Sequence, residues 1–228
     1  MSKRHWVIAG ALAALLLGLG AWTLMRPAAP VSAIGAAEAI ARDEDHMLGN
    51  KSARVTVIEY AAPICPTCAF VNAATIPELK RRFIDTGKIL FVFRVYPLNP
   101  ADFKAEGLAR CVPQERYFQA IDLLYRRQEE WGAEHMQEHG PGFTMENQPR
   151  TDAGLIKIGR AFGFDEAKAR GCMRDANVHR RVQEVAARGE ARYGIGGTPT
   201  FIVNGRVLAN VPRSVDDLAA AIDPLLAP

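Results

Sequence analysis

A strand that runs into a helix through a pair of cysteines constrains this chain more than any other feature. Ala53–Tyr60 (ARVTVIEY) is rich in β-branched residues, as strands are. Cys65 and Cys68 come next, and CAFVNAATIPELKRRF then carries helical spacing until Asp85–Gly87. Pro77 falls inside that helix, where it removes a backbone donor and predicts a kink. Lys88–Leu98 (KILFVFRVYPL) is a second strand, apolar enough to be buried on both faces. Strand, helix and strand form a βαβ unit, the building block of an α/β sheet.

The rest of the chain changes texture twice. Ahead of the first strand, AAEAIARDEDHML reads as a short helix ending near Gly49. From Asn99 to about Arg192 the pattern is helical, broken by the polar, Gly/Pro-containing stretch HMQEHGPGFTMENQPR. Asp152 and Asp165 are placed to cap two of these helices. Tyr117, Phe118, Tyr125, Trp131, Phe162 and Met173 are its core residues. Strand texture returns at Thr198–Ala209 (TPTFIVNGRVLA), where Asn204-Gly205 between two β-rich runs marks a hairpin. SVDDLAAAIDPLL closes the chain as a helix.

The first residues bear on compartment. MSKRH is basic, and Trp6–Met25 then runs without a charge until Arg26. A bilayer-spanning helix takes about 20 apolar residues, and this run is of that length. Pro30–Ala33 (PVSA) offers the small residues of a cleavage site. Signal peptide and uncleaved anchor both remain open, and both export the remainder of the chain, with Lys3 and Arg4 held inside. Net charge is +3, and no Lys/Arg run is interleaved with aromatics, which argues against a nucleic-acid partner.

Export changes the meaning of the cysteines, because disulfides persist outside the cytoplasm. There are four, Cys65, Cys68, Cys111 and Cys172. Cys65 would begin a helix, where free backbone N–H groups and the helix dipole favour a thiolate. Pro66 suits the first turn, and Cys68 lies one turn on, placed to attack a mixed disulfide on Cys65. A zinc clip would need further ligands, and the only closely spaced histidines are His135 and His139 in a loop-like stretch. A merely structural disulfide would close too short a loop to gain much. Thr198-Pro199 leads straight into a strand, and the residues alone allow either isomer of that peptide bond.

These segments together resemble the DsbA-like branch of the thioredoxin superfamily. The likeness rests on HMLGNKSARVTVIEYAAPICPTCAF, on GTPTF before the final hairpin and helix, and on the helical stretch between them, covering roughly residues 45–228. The resemblance implies an α/β thioredoxin fold with a helical insertion, preceded by the N-terminal signal or anchor helix. The segments would be 1–33 (signal or anchor plus linker), 34–98 (first part of the thioredoxin domain), 99–192 (insertion) and 193–228 (second part). Cys65 would be the surface nucleophile and Cys68 the buried resolving cysteine. Pro199 would be a cis-proline facing them, with Thr198 presenting its backbone to an extended substrate. Glu59 falls where this family keeps an acid beneath the site. Strand alternation puts it on the face of Val55 and Val57, so it is expected to be buried and to take the Cys68 proton.

The implied activity is a periplasmic thiol–disulfide oxidoreductase that donates its disulfide to reduced or misfolded exported proteins. A membrane redox partner would reset Cys65–Cys68, and residues 6–25 could tether the protein to the inner membrane. It would need no organic cofactor and no metal. Thr67 stands where familiar members carry histidine, which implies a milder oxidant. An isomerase or reductase of the same fold is an alternative, as is a Cu(I)-handling protein or a binding module without turnover. An oxidising compartment, an even cysteine count and the second disulfide that the resemblance implies together predict a structural Cys111–Cys172 bond.

Overall fold

The computed structural model describes residue 42 and residues 45–132 and 148–227. The apolar run Trp6–Met25, the linker after it and the histidines at 135 and 139 lie outside them. The described residues fall in one compact unit, Ala39–Pro228.

In chain order the elements are β1 (His46–Gly49), β2 (Val55–Ala61), α1 (Pro66–Ala74), α2 (Ile76–Leu79) and β3 (Ile89–Val95). Among the described residues six α-helices come next: α3 (Pro100–Arg110), α4 (Tyr117–Arg126), α5 (Gln128–Trp131), α6 (Gln148–Arg160), α7 (Glu166–Met173) and α8 (Ala176–Tyr193). The hairpin β4 (Thr200–Val203) and β5 (Arg206–Val207) precedes α9 (Val215–Leu226). The sheet order is β1-β3-β2-β4-β5. β2 and β3 are parallel, as their helical crossover requires, and the other pairs are antiparallel.

Strand alternation sorts the sheet into two faces. Val55 and Val57 of β2 and Phe91 and Phe93 of β3 enter the larger core with Cys68, Val71, Leu124, Leu155 and Leu218. Ile58 and Tyr60, with Leu90 and Val92, enter a second cluster completed by Val185, Ile195 and Ile202. β3 is buried at every position, and its sequence is apolar except at Arg94, whose charge is paired inside. The aromatic and Met residues of the helical segment are core: Tyr117, Tyr125, Trp131 and Met173 are buried, and Phe118 and Phe162 pack partly against them.

Local signals explain the helix ends. Asn99 caps α3, Asp102 completes the box by accepting from the Asn99 N–H, and Pro100 sits in the first turn. Ser214 and Asp217 form the same box on α9. Asp165 caps α7 through the Lys168 N–H. The helix containing Pro77 is interrupted at Thr75 and widens into a π-turn over Lys80–Ile84. Gly107 lets α3 touch α7: a Cβ there would lie 2.4 Å from the Cys172 carbonyl oxygen.

Two expectations fail. His46–Gly49 is not helical but the edge strand β1, paired antiparallel with β3 from His46↔Phe93 to Gly49↔Leu90. The open edge of β3 supplies hydrogen-bond partners that outweigh the local helical pattern. Gly49, at φ 97°, ends the strand where a Cβ would strike the Ile89 carbonyl at 2.4 Å. Asp152 is not a cap: it lies inside α6 and pairs with Lys104 at 2.6 Å, joining α6 to α3. Sequence reading also missed a buried ion pair, Arg94 with Asp45 at 2.6 Å, which Tyr60 completes by accepting from the guanidinium at 3.1 Å.

Candidate redox site

Central strand β2 delivers the chain to the site. It ends at Ala61, and after a short turn Cys65 takes the N-cap position of α1, with extended φ −76° and ψ 120°. Its sulfur, rather than a Ser or Asp oxygen, accepts the capping hydrogen bond from the Cys68 N–H at 3.4 Å. Cys65 and Cys68 are free thiols here. Cys68 is wholly buried and Cys65 is 5% exposed, so the residue expected at the surface shows only a sliver of itself. Pro66 and Thr67 are the exposed members of the motif.

The Thr198–Pro199 peptide bond is cis, and the Thr198 carbonyl lies 3.5 Å from Cys65 Sγ, which donates to it as a thiol. The Thr198 hydroxyl is buried beside the site. β4, which begins just after Pro199, pairs antiparallel with β2, with Glu59 opposite Phe201. Strand pairing thus joins two segments more than a hundred residues apart into one site.

Electrostatics separate the two thiols. The hydrogen bond from Cys68, then contact with Thr198 and the amides of Cys68 and Thr67, hold Cys65 down at about 6 against the opposing effect of burial. Burial pushes the Cys68 thiol far above its ordinary value, and the neighbouring Cys65 and Glu59 charges add to the push. Glu59 is 3% exposed; burial first, and the charge on Cys65 second, raise its carboxyl to about 8. At neutral pH the arrangement therefore holds one ready thiolate, one protonated thiol and a carboxylic acid able to give or take a proton.

Two polar residues that sequence reading missed complete the floor. Asp102 of α3 has no exposed surface, and its carboxylate accepts the Ile64 N–H at 2.8 Å, immediately before Cys65. Burial raises this carboxyl to about 7 although three backbone amides oppose the rise. Gln128 of α5 donates to the carbonyls of Pro63 at 2.7 Å and Cys65 at 3.1 Å. The Asn-Pro-x-Asp string at 99–102 was readable as a helix cap, but nothing local pointed to Ile64.

Cys111 and Cys172 lie elsewhere, at the end of α3 and within α7, and are joined by a disulfide with Cα atoms 5.9 Å apart. Among the described residues no three His, Cys, Asp or Glu side chains gather as metal ligands would. Among the same residues no helix is long and apolar enough to cross a membrane.

The chain matches the thioredoxin family model over residues 41–224. It is 30% identical over 182 residues to a Rickettsia bellii protein named as a candidate protein-disulfide oxidoreductase, and 32% over 186 residues to its Rickettsia felis counterpart. These matches take in 79% and 81% of this chain, but the chain spans only 64% and 61% of the length of those relatives. Among solved structures it is similar to alpha-DsbA1 of Wolbachia pipientis, with a TM-score of 0.69 at 23% identity over 82% of this chain and 93% of that one. A protein-disulfide isomerase of Novosphingobium aromaticivorans superposes with a TM-score of 0.67 at 21% identity, covering 80% and 97%. At such identities the structures establish the fold. The chain belongs to the thioredoxin family.

Proposed function

We propose that this chain is an exported thiol–disulfide oxidoreductase that donates a Cys65–Cys68 disulfide to reduced protein substrates. The observation that carries the reading is the pairing of a lowered Cys65 thiol at the α1 N-cap with a buried Cys68 thiol above a protonatable carboxyl. In the oxidised form a substrate thiolate attacks Cys65 Sγ, the Cys65–Cys68 bond breaks, and Cys68 leaves with the bonding pair. Glu59 supplies the proton that Cys68 then holds. A second substrate thiolate attacks the substrate sulfur of the mixed disulfide, and Cys65 leaves as the thiolate that its surroundings favour. Two electrons pass from the substrate dithiol to the protein, so an oxidant must reset the pair; a membrane redox partner fits an exported protein.

Exposed apolar side chains at Phe70, two residues past Cys68, and Leu98, on the loop whose amide bonds to Asp102, support an unfolded, apolar substrate segment. Thr67 supplies no imidazole beside Cys65, so the couple should be less oxidising than one with histidine there. A redox titration against glutathione tests the direction of transfer: a couple far more oxidising than about −270 mV fits donation, and one near that value refutes it in favour of reduction. The apolar run Trp6–Met25 supports a tether to the inner membrane. Intact mass of protein taken from the membrane fraction checks it, and a mature terminus near Ile34 would refute it.

A further inference from the structure

Three consecutive residues ahead of α1, Pro63, Ile64 and Cys65, have peptide groups held by two side chains, and both come from the helical segment. Asp102 takes the Ile64 N–H at 2.8 Å with one carboxylate oxygen. Its other oxygen takes the amides of Leu98 at 2.8 Å and Asn99 at 3.2 Å. Gln128 donates to the carbonyls on either side of Ile64, Pro63 and Cys65. Capping α3 accounts for the Asn99 bond and for nothing at Ile64. Glutamate or glutamine at the same place would cap as well, whereas this short carboxylate reaches across to the active loop. Leaving an anion without exposed surface is costly unless its hydrogen bonds are complete, and here three amides converge on it.

We propose that Asp102 is a positioning residue that sets the redox balance of Cys65, both by clamping the loop before it and by opposing its negative charge, while Gln128 serves the clamp alone. The inference rests on the reading of Cys65 as the exchanging thiol. Other ionisable groups facing Cys65 are Cys68 of α1, Glu59 of β2 and Tyr125 of α4; Tyr125 is buried and interacts with Cys65, Cys68, Glu59 and Asp102 together. Clamp and charge act in opposite directions on the thiolate. A firm loop keeps the N–H groups of α1 aimed at Cys65 Sγ and favours the anion. The Asp102 carboxyl, held at about 7, disfavours it once it ionises above that value. The balance is a nucleophile held less oxidising than its position at a helix start would otherwise make it.

The test compares Asp102→Asn with Gln128→Leu in the whole protein. Two readouts apply to each: the pH midpoint of Cys65 alkylation, and the equilibrium with glutathione at pH 8, where Asp102 is ionised, and at pH 6, where it is protonated. For Asp102→Asn the equilibrium at pH 8 should move at least about threefold toward the reduced protein, and at pH 6 it should move less, because only the ionised carboxyl opposes Cys65. For Gln128→Leu the midpoint should stay or rise, because a clamp is lost and no charge changes. Should Asp102→Asn not fold, Asp102→Ser, which keeps an acceptor and lacks the charge, decides in its place. A folded Asp102 variant whose equilibrium at pH 8 is unchanged or moves toward the oxidised protein would overturn the proposal and leave Asp102 a helix cap and loop anchor. Should the equilibrium at pH 8 move as stated while wild-type protein oxidises no substrate, the electrostatic inference stands and the proposed function does not.

Discussion

The two cysteine pairs sit in one domain and differ in nearly every respect. Cys65 and Cys68 are neighbours in the sequence, share the first turn of α1, and stand as free thiols among amides and buried carboxyls. Cys111 and Cys172 are separated by 61 residues and meet only because α3 packs on α7 at Gly107. The first pair closes almost no loop, so bonding or unbonding it changes chain entropy little, and what varies is the stability of the thiolate. The second closes a long loop, and its bond constrains the unfolded chain far more. The contrast teaches that the same chemical group serves turnover or stability according to the donors around it and the chain it closes.

The largest effect that would break this contrast is on turnover. Cys65→Ser should lower the rate of disulfide donation to a reduced substrate protein by about a thousandfold or more, while Cys111→Ala with Cys172→Ala should leave it within about twofold. A double alanine variant as inactive as Cys65→Ser would erase the distinction. Stability should show the reverse ranking. Losing the Cys111–Cys172 bond should cost about 4 kcal/mol from loop closure, read as a fall in melting temperature of about 8–16 °C; Cys65→Ser should shift it little.

A smaller effect isolates the surroundings of the first pair. The Glu59 carboxyl is held at about 8, well above its ordinary 4.5, so its uncharged form stabilises the fold. That stabilisation is complete below 4.5 and is lost as pH rises through about 8. Glu59→Gln should therefore be more stable than wild type at pH 8 by on the order of 2 kcal/mol, with the gap closing toward pH 5. Thermal melts of the reduced proteins across that range check it, and a gap that widens toward acid would contradict the burial argument. The smallest change should come from Thr67→His. An imidazole at this exposed position should bring the Cys65 alkylation midpoint below about 6 and make the couple more oxidising. A midpoint that rises would show that position 67 does not act on the thiolate.

What could be read without coordinates was what neighbouring residues determine. β-Branched runs, Pro66 at a helix start and the Asn204-Gly205 turn each act over a few residues, and the elements they mark appear where expected. The cysteine pair belongs to the same class, since its place at the end of a strand and the start of a helix was written in local pattern. Period-two alternation in β2 was enough to put Glu59 on the face of Val57, which lies in the larger core, although the opposite face of Ile58 and Tyr60 is buried as well. Only the tertiary structure decided the rest. His46–Gly49 became a strand because β3 offered an unpaired edge, and Asp152 became an ion-pair partner because α6 begins earlier than its pattern showed. The roles of Asp102 and Gln128 exist only across 38 to 65 residues of chain, where α3 and α5 fold back against the loop before Cys65. Hydrogen bonds and buried charges act through space at a few ångströms, and a sequence states such distances only where the chain is too short to choose another.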